Sequence, residues 1–154
     1  MEPIWITGMG LITSIGNERS SVVESLRSMK HGIECPAMLQ GEDSPVKVAG
    51  TVKEFEVDSS DPEDWIYPSK YLVPRATLRS FSPHVLYAWC AVQQAIEDAN
   101  LSEKEILDPD SGLYTSSGGS MRSIHKHFEK MDRRGVMACN PLAIVASIAG
   151  TLTF

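Results

Sequence analysis

One long amphipathic segment, residues 83–99, most constrains how this chain folds. It reads PHVLYAWCAVQQAIEDA. Ser82 belongs to the residue types that cap helices, and Pro83 takes the first helical position, where its missing N–H breaks no hydrogen bond. One face of the segment carries residues spaced as neighbours on a helix surface: Leu86, Trp89, Cys90, Gln93 and Ile96. We therefore predict a helix over 83–99 with one buried stripe, against which the other elements pack.

A strand and a helix are predicted ahead of this segment. Residues 4–7 are an apolar run that a glycine ends, which predicts a buried strand. Asn17 is predicted to cap a helix that reaches about His31, and Gly32 is predicted to stop it. Three apolar residues at helical spacing give this helix one buried face: Val22, Leu26 and Met29.

Two further strands and an irregular segment are predicted. Valine or glycine alternates with other residues over 46–52, which indicates a half-buried strand. Acidic residues and prolines are frequent in 54–74, which we interpret as an irregular surface excursion. Residues 112–116, GLYTS, are predicted to form another strand, which runs into the glycine-rich SSGGS at 116–120.

Two more helices are predicted near the end of the sequence. The first carries Met121, Ile124, Phe128 and Met131 on one face and ends at Gly135. The second begins at Asn140-Pro141 and continues as LAIVASIAG, which has small and apolar residues on all sides and is therefore predicted to be deeply buried. The order strand, helix, strand, long helix, strand, helix predicts an α/β fold.

Composition narrows the class of protein. The chain has 154 residues, enough for one domain with its own core, and its formal net charge is −6. An acidic balance argues against nucleic acid as a partner, and no apolar run is long enough to predict a membrane span. Three well-separated cysteines favour reduced thiols, so we expect a cytoplasmic protein.

The N-terminal glycines invite a dinucleotide-binding interpretation, which their spacing disfavours. A G-x-G-x-x-G turn needs a third glycine where this chain has Thr13, and the next glycine is Gly16. The predicted cap at Asn17 also lies too far from Gly10 for the helix N-terminus to meet a pyrophosphate there. A wide turn after a buried strand is the simpler interpretation.

The glycine-rich SSGGS lacks the lysine and the spacing of a phosphate-binding loop. Its glycines instead favour close approach of another backbone or of an acyl chain. His125 and His127 are two residues apart and share no helix face, so we expect a solvated surface rather than a metal site. Cys90 is predicted to be a small core residue, and Cys139 precedes a helix N-terminus but has no neighbouring histidine in sequence to act as a base.

Five cations in two short stretches predict a basic patch in this acidic chain: Arg75, Arg79, Lys130, Arg133 and Arg134. Such a patch suits an acidic partner. Favourable interaction with the helix dipole would account for Arg133 and Arg134 without any partner, but it would not account for Arg75 and Arg79.

Six segments in order resemble the N-terminal half of the β-ketoacyl–acyl-carrier-protein synthases, the condensing enzymes of type II fatty acid synthesis. They are ITGMGLITSIGN, SLRSMKHGI, VAGTVKEFE, YAWCAVQQAIEDANL, SSGGS and NPLAIVASIAGTLTF. The resemblance is greatest to the synthase I and II branch and covers essentially all of residues 1–154. It implies a thiolase-like fold of αβαβα layers, of which this chain is most of the first half. It also implies a homodimer, an acyl carrier protein as partner, and no cofactor or metal.

The resemblance further implies a decarboxylative Claisen condensation in fatty acid or related polyketide-type synthesis. A cysteine thiolate takes the acyl group from the carrier protein, two histidines assist decarboxylation of the malonyl carrier, and a lysine supports the site. In the family the nucleophile follows soon after the segment that SIAGTLTF resembles, and the histidines and lysine come later. None of Cys35, Cys90 and Cys139 matches the nucleophile, so we expect no catalytic residue in this chain and no activity from it alone.

Other functional positions of the family do fall within the chain. Gly119 matches the position that borders the acyl pocket, and Cys139 matches one that reaches across the dimer to close the partner's pocket. Small side chains at both would leave room for a longer acyl tail. Four cations match the basic surface that meets the carrier protein: Arg75, Arg79, Arg133 and Arg134. Two alternatives remain open, a non-catalytic module that binds a carrier protein or ketosynthase and a nucleotide-binding oxidoreductase domain.

Overall fold

The computed structural model of the protein describes residues 3–148, which divide into two compact units. The first unit runs to Glu54 and includes Ala91–Asn100, and the second comprises Phe55–Cys90 and continues from Leu101. The six α-helices of the described residues are α1, Arg19–Arg27; α2, Arg75–Leu78; α3, Pro83–Ala99; α4, Glu103–Ile106; α5, Met121–Arg134; and α6, Pro141–Ala146. None of them combines the length and apolar character needed to cross a bilayer.

The first unit contains α1 and a short antiparallel ladder between β1, Ile33–Glu34, and β2, Ala49–Gly50. Its register places Ile33 opposite Gly50. The strand predicted over 46–52 is therefore confirmed only at its centre. This ladder is the only sheet within residues 3–148, so the described part of the chain is mixed helical with few strands.

The first helix differs from its predicted bounds at both ends. Its N-cap is Glu18, whose N–H donates to the Ser21 hydroxyl at 3.2 Å, so the predicted cap at Asn17 is wrong by one residue. The helix ends at Arg27 because Met29 adopts a left-handed φ of 52°. The N–H of Lys30 then returns to the Ser25 carbonyl at 2.8 Å, which is a Schellman ending and stops the helix well before Gly32.

The predicted buried face of α1 is partly wrong. Val22 is buried, but Leu26 and Met29 are exposed. Ser25 is buried instead, and its hydroxyl donates to the Ile15 carbonyl at 2.7 Å. A hydroxyl with a backbone partner satisfies its hydrogen bonding inside the protein, so the buried face of α1 is partly polar.

The strand predicted over residues 4–7 is absent. Ile4, Trp5 and Ile6 are 97%, 79% and 86% exposed, and within residues 3–148 no backbone hydrogen bond joins this segment to a neighbour. A strand exists only through pairing with another strand, which the local apolar pattern does not supply.

Gly8 and Gly10 have a different role from the predicted turn, because they lie against the second half of α3. A Cβ at Gly8 would lie 2.6 Å from the Ala99 nitrogen, and one at Gly10 would lie 2.6 Å from the Ala91 carbonyl carbon. Both distances are too short for real carbon atoms, so only glycine permits this approach. The N–H of Leu11 donates to Gln94 Oε1 at 3.1 Å and fixes the segment there.

The second unit holds nearly all of the buried apolar side chains. Phe81 packs 5.7 Å from Trp89 and Phe55 packs edge-on at 5.2 Å from Tyr87, measured between ring centroids. The segment 54–74 is irregular, as predicted, but it is not merely a surface excursion. It contributes three aromatic residues to the core, Phe55, Trp65 and Tyr71, which join Leu78, Phe81, Val85, Leu86, Cys90, Ala143 and Ala146.

Three predicted helices are found where the sequence places them, although α6 ends earlier than predicted, at Ala146. The longest, α3, has the predicted bounds, and α5 ends at Arg134 with Gly135 as its C-cap. Asn140 caps α6 by accepting the Leu142 N–H at 3.0 Å, and Pro141 is its first residue. Ser82 differs from its predicted role as a side-chain cap, since its hydroxyl donates to the Ala146 carbonyl at 2.9 Å.

Two further predictions for this unit are corrected. Residues 112–116 form no strand, and Leu113 and Tyr114 are exposed, because the segment pairs with no other strand among residues 3–148. Helix α6 is buried on one face only: Ala143, Ala146 and Ser147 are buried, whereas Leu142, Val145 and Ile148 are exposed. The final part of the predicted helix, 149–150, lies outside the described residues.

Candidate functional site

Arg75 and Arg79 share one carboxylate. They stand four residues apart at the start and the C-cap of α2, so both project from the same side of it. Arg79 Nε lies 2.6 Å from Glu63 Oε1, and Arg75 forms an ion pair with the other oxygen of the same carboxylate. The two guanidiniums therefore carry one internal counter-charge between them.

Glu63 is held in a fixed turn. It lies in a 3₁₀ helix, Pro62–Asp64, where its N–H donates to the Asp61 carboxylate at 3.0 Å. An antiparallel bridge between Glu56 and Ile66 closes the turn, with N–H to carbonyl distances of 2.8 and 3.1 Å. The buried Trp65 adds a third tie, because its indole N–H donates to the Ser59 carbonyl at 2.9 Å.

Arg133 and Arg134 are in a different electrostatic state. They occupy the last turn of α5, where cations interact favourably with the helix dipole, and both are exposed. Within residues 3–148 neither forms an ion pair with a carboxylate. This pair therefore presents its charge to solvent, whereas the pair on α2 is partly neutralised.

The end of α5 and the C-cap of α2 are tied through Asn140. Its side-chain amide donates to the Arg79 carbonyl at 2.8 Å. Only residues 135–139 separate Asn140 from Arg134, so at most about 22 Å of chain joins the two backbone positions. A single macromolecular partner is large enough to contact both arginine pairs.

Other cations of α5 serve inside the unit. Arg122 Nη1 lies 2.8 Å from Asp58 Oδ1, and Lys126 donates to the Asp58 carbonyl. Burial is the main cause that lowers the pKa of the Lys126 ammonium, and the nearby Arg122 lowers it further. These residues hold the irregular segment, so they add less to an external basic surface than their number suggests.

The glycine-rich loop before α5 is anchored on one side and open on the other. Ser120 caps α5, and its N–H donates to the Ser147 carbonyl at 2.8 Å. Gly119 has a φ of 73°, a conformation that favours glycine. A Cβ at Gly118 would meet nothing within 4 Å, so no described backbone approaches there. The predicted role of Gly119 beside an acyl chain stays a prediction.

Cys139 lies beside the middle of α5. Its thiol donates to the His127 carbonyl at 3.4 Å, and His127 Nδ1 is itself 2.7 Å from the Ser123 carbonyl. About 9 Å of helix axis separates Met121 from His127, which places Cys139 roughly one and a half turns beyond the glycine-rich loop. Its predicted role at the acyl pocket and dimer interface is untested by this geometry.

Among the other sulfur and imidazole groups, Cys90 is the buried core residue that the sequence predicts. All three cysteines are free, and burial is the main cause that raises the pKa of the fully buried Cys90 thiol to about 12. A thiol of this kind stays protonated and is a poor nucleophile. His125 Nε2 lies 3.5 Å from Glu129 and His127 faces Ser123, so the two imidazoles have separate partners.

Two features of the structure are not evident from the sequence. Glu63 belongs to an acidic stretch, but only the turn around it shows that it binds both arginines of α2. In the first unit, a concave space of about 550 Å³ lies beside Asn17 and Lys53. Asn17 donates to the Lys53 carbonyl at 2.7 Å, while its own side-chain oxygen is buried without a hydrogen-bond partner. The lining of this concave space contains both acidic and basic side chains, so it favours no single class of ligand.

Known proteins resemble this chain along its whole length. The family model described as "Beta-ketoacyl synthase, N-terminal domain" matches residues 1–154. The 3-oxoacyl-(acyl-carrier-protein) synthase 1 of Haemophilus influenzae is 31% identical over 152 residues, which cover 96% of this chain and 34% of that enzyme. The Escherichia coli K12 protein of the same name is 31% identical over 147 residues, covering 94% and 33%.

A third relative is similar over the same part of its length. The 3-oxoacyl-(acyl-carrier-protein) synthase 2 of Synechocystis is 26% identical over 152 residues, covering 96% of this chain and 34% of that protein. The chain thus spans about a third of the length of these curated relatives. With its full length matched by the family model, the chain belongs to the β-ketoacyl synthase family.

Proposed function

We propose that this chain is the N-terminal portion of a 3-oxoacyl-(acyl-carrier-protein) synthase. The match of the family model over residues 1–154 carries the proposal, and relatives of that name support it. The complete enzyme joins an acyl group to a malonyl unit by decarboxylative Claisen condensation. It adopts the layered thiolase-like fold as a cytoplasmic homodimer, and residues 1–154 are a portion of its synthase domain that stops before the nucleophile.

The chemistry divides into two balanced steps. A cysteine thiolate attacks the thioester carbonyl of the acyl carrier and expels the carrier's sulfur as a thiolate, leaving the acyl group on the enzyme. Loss of CO₂ from the malonyl carrier then supplies the carbon nucleophile, which takes the acyl group and releases the cysteine thiolate. In this proposal the reacting cysteine, two histidines and lysine lie outside the chain, and residues 1–154 supply scaffold, docking surface and part of the acyl pocket.

Exposed apolar side chains support the proposal that other parts of the enzyme pack against residues 1–154. Ile4, Trp5 and Ile6 are exposed in the first unit, and Tyr114 and Met137 in the second. Large apolar side chains that are almost fully exposed favour surface that other protein covers. The proposal assigns that cover to the rest of the enzyme and to the homodimer interface.

Thioester transfer tests which cysteine reacts. The whole natural protein is incubated with acyl carrier protein bearing a labelled acyl group, digested, and examined by mass spectrometry. We expect no acyl group on Cys35, Cys90 or Cys139, and an acyl group on a cysteine outside residues 1–154. Acylation of Cys139 would contradict the proposal. Carrier binding without acylation anywhere would replace it with the non-catalytic binding module.

Carrier docking is proposed at the basic residues. Arg133 and Arg134 provide the open positive charge that attracts an acidic carrier, and Arg75 and Arg79 provide the second half of the surface. The double variant R133E/R134E is expected to weaken carrier binding by about tenfold or more at low salt, with a smaller effect at high salt.

A charge-matched control makes this measurement specific. R27E/K30E reverses two exposed cations near the end of α1 in the first unit and changes the net charge equally. It should leave the carrier dissociation constant nearly unchanged. If both double variants weaken binding to the same extent, general charge and not a docking surface accounts for the attraction.

The acyl pocket is the third element of the proposal. Gly119 and Cys139 present small side chains at positions that we assign to the pocket and to its closure across the dimer. G119A and C139F should shift the complete enzyme toward shorter acyl chains, measured as the ratio of kcat/KM for long and short acyl carriers. A strict short-chain preference in the unsubstituted enzyme would contradict this assignment.

A further inference from the structure

One carboxylate on this surface opposes the charge that an acidic partner seeks. Glu63 binds both Arg75 and Arg79, using one carboxylate oxygen for each. Its side chain is 21% exposed, compared with 74% and 60% for the two arginines. The carboxylate therefore lies beneath the guanidiniums, and the arginines keep exposed surface toward solvent.

The arginines retain donors for a second partner. Each guanidinium carries five N–H groups in a planar fork, and Glu63 has only two oxygens to share between the two side chains. Arg79 uses its Nε and Arg75 one terminal nitrogen for this carboxylate. Other N–H groups of both side chains are thus able to meet an incoming carboxylate without complete loss of the internal pair.

The position of Glu63 is fixed by its turn, so it does not move away freely. The Asp61 cap, the bridge between Glu56 and Ile66 and the buried Trp65 hold its backbone. A carboxylate held in place lowers the local positive potential at Arg75 and Arg79 for as long as the turn is folded. Arg133 and Arg134, in the last turn of α5, carry no such counter-charge within residues 3–148.

We infer that Glu63 is an internal competitor that weakens carrier-protein docking at Arg75 and Arg79 and leaves Arg133 and Arg134 as the stronger half of the surface. The inference rests on the proposed carrier docking. It makes Glu63 a residue that sets affinity: an enzyme that must release each carrier after reaction gains from a surface whose charge is partly neutralised.

The test is the binding of acyl carrier protein to the whole natural protein, titrated at low and at high salt. Glu63→Gln removes the charge and keeps the shape of the side chain. We expect the dissociation constant to fall about two- to fivefold at low salt, because exposed ion pairs of this kind have small effects. The gain should shrink at high salt.

Two comparisons isolate the effect. Glu103→Gln removes the same charge from an exposed first-turn position of α4 and should change the dissociation constant by less than a factor of about 1.5. In a background with Arg75→Ala and Arg79→Ala, Glu63→Gln should likewise give no gain. Glu63→Ala removes the same charge but leaves a different side chain in the turn. It should reproduce the tighter binding, which separates the effect of the charge from any disturbance of the turn by E63Q.

The outcomes separate this inference from the function on which it rests. If R133E/R134E weakens binding but the Glu63 variants behave like E103Q, the docking surface stands and the competitor role is overturned. If R133E/R134E leaves binding unchanged, the docking proposal itself fails and the inference fails with it.

Discussion

The two halves of α3 pack in opposite ways. The first half, Pro83–Cys90, belongs to the second unit and buries large or sulfur-containing side chains, with Val85, Leu86 and Cys90 all 0% exposed. The second half, Ala91–Ala99, belongs to the first unit and presents small side chains and backbone to Gly8 and Gly10. The first half of this helix thus packs through large side chains, and the second half packs through small side chains and backbone.

This difference shows how far the apolar pattern of residues 83–99 predicts which side chains of α3 are buried. Leu86 and Cys90 predict a buried face without knowledge of their partners, because burial of an apolar side chain stabilises the protein wherever it removes that side chain from water. The alanines of the second half gain little from burial alone, and their use depends on glycines more than 80 positions away in sequence. Four substitutions test the contrast, from the largest expected effect to the smallest.

Leu86→Ala should have the largest effect, a loss of about 3 kcal/mol in the free energy of unfolding. The substitution removes a fully buried side chain and leaves a cavity in a close-packed region. Urea denaturation measures it, with Leu107→Ala as the matched control because Leu107 is exposed. Equal losses for the two variants would show that the first half of α3 is not the packed region described.

Gly10→Ala should cost about 2 kcal/mol, because the added Cβ would overlap the Ala91 carbonyl group and force the two backbones apart. Gly118→Ala is the control, since a Cβ there meets nothing within 4 Å, and it should change stability by less than about 0.5 kcal/mol. A neutral Gly10→Ala would mean that the N-terminal segment does not lie against the second half of α3.

Gln94→Leu should cost about 1 to 2 kcal/mol. Its side-chain amide donates to the Asn17 carbonyl at 2.7 Å and accepts from the Leu11 N–H at 3.1 Å, so leucine leaves both backbone groups without this partner. The neighbouring Gln93→Leu is the same chemical change on a residue for which the described structure shows no hydrogen bond. Comparable losses for both variants would remove the distinction.

Cys90→Ala should have the smallest effect at neutral pH, a loss of about 1 kcal/mol in the free energy of unfolding. At alkaline pH the Cys90 thiol should also make the stability of the wild-type protein depend on pH. Its thiol pKa is about 12 in the folded protein against an ordinary value of 9.0, mainly because of burial. The unfolded chain therefore loses this proton first as the pH rises, and the stability linked to the neutral thiol is lost between about pH 9 and 12.

The variant also provides the control for this pH dependence. Across that window the wild-type protein should lose about 1.4 kcal/mol per pH unit more than Cys90→Ala, in which no thiol titrates. Parallel stability curves for the two proteins above pH 9 would show that Cys90 is not held in the buried first half of α3.

The candidate docking surface illustrates the same division between local and remote information. Of its four arginines, Arg133 and Arg134 have positions that follow from helix boundaries that the sequence predicts, since α5 begins after Ser120 and ends before Gly135. The helix α2, which carries Arg75 and Arg79, was not predicted. The electrostatic states of the four arginines do not follow from such boundaries. Glu63 binds two of the arginines because a turn closed by Glu56 and Ile66 brings it to α2, and no local pattern contains that turn.

Strands were the least predictable elements for a related reason. The patterns at 4–7 and 112–116 have the composition of strands, yet neither segment pairs with another strand among residues 3–148. The described ladder instead joins Ile33–Glu34 to Ala49–Gly50, of which only the second was predicted. A strand needs hydrogen-bond partners from elsewhere in the chain, whereas a helix closes its own bonds four residues away.

The sequence by itself determined the bounds of α3, the end of α5, the start of α6 and the membership of this chain in the β-ketoacyl synthase family. Helix bounds and short sequence motifs depend on residues that are close in sequence, so they can be predicted without knowledge of the tertiary structure. Only the tertiary structure decided which apolar faces are buried, which glycines are contacted and which arginines are neutralised. Those properties depend on groups that the fold brings together from distant positions, where Coulomb attraction and close packing act over a few ångströms of space rather than along the chain.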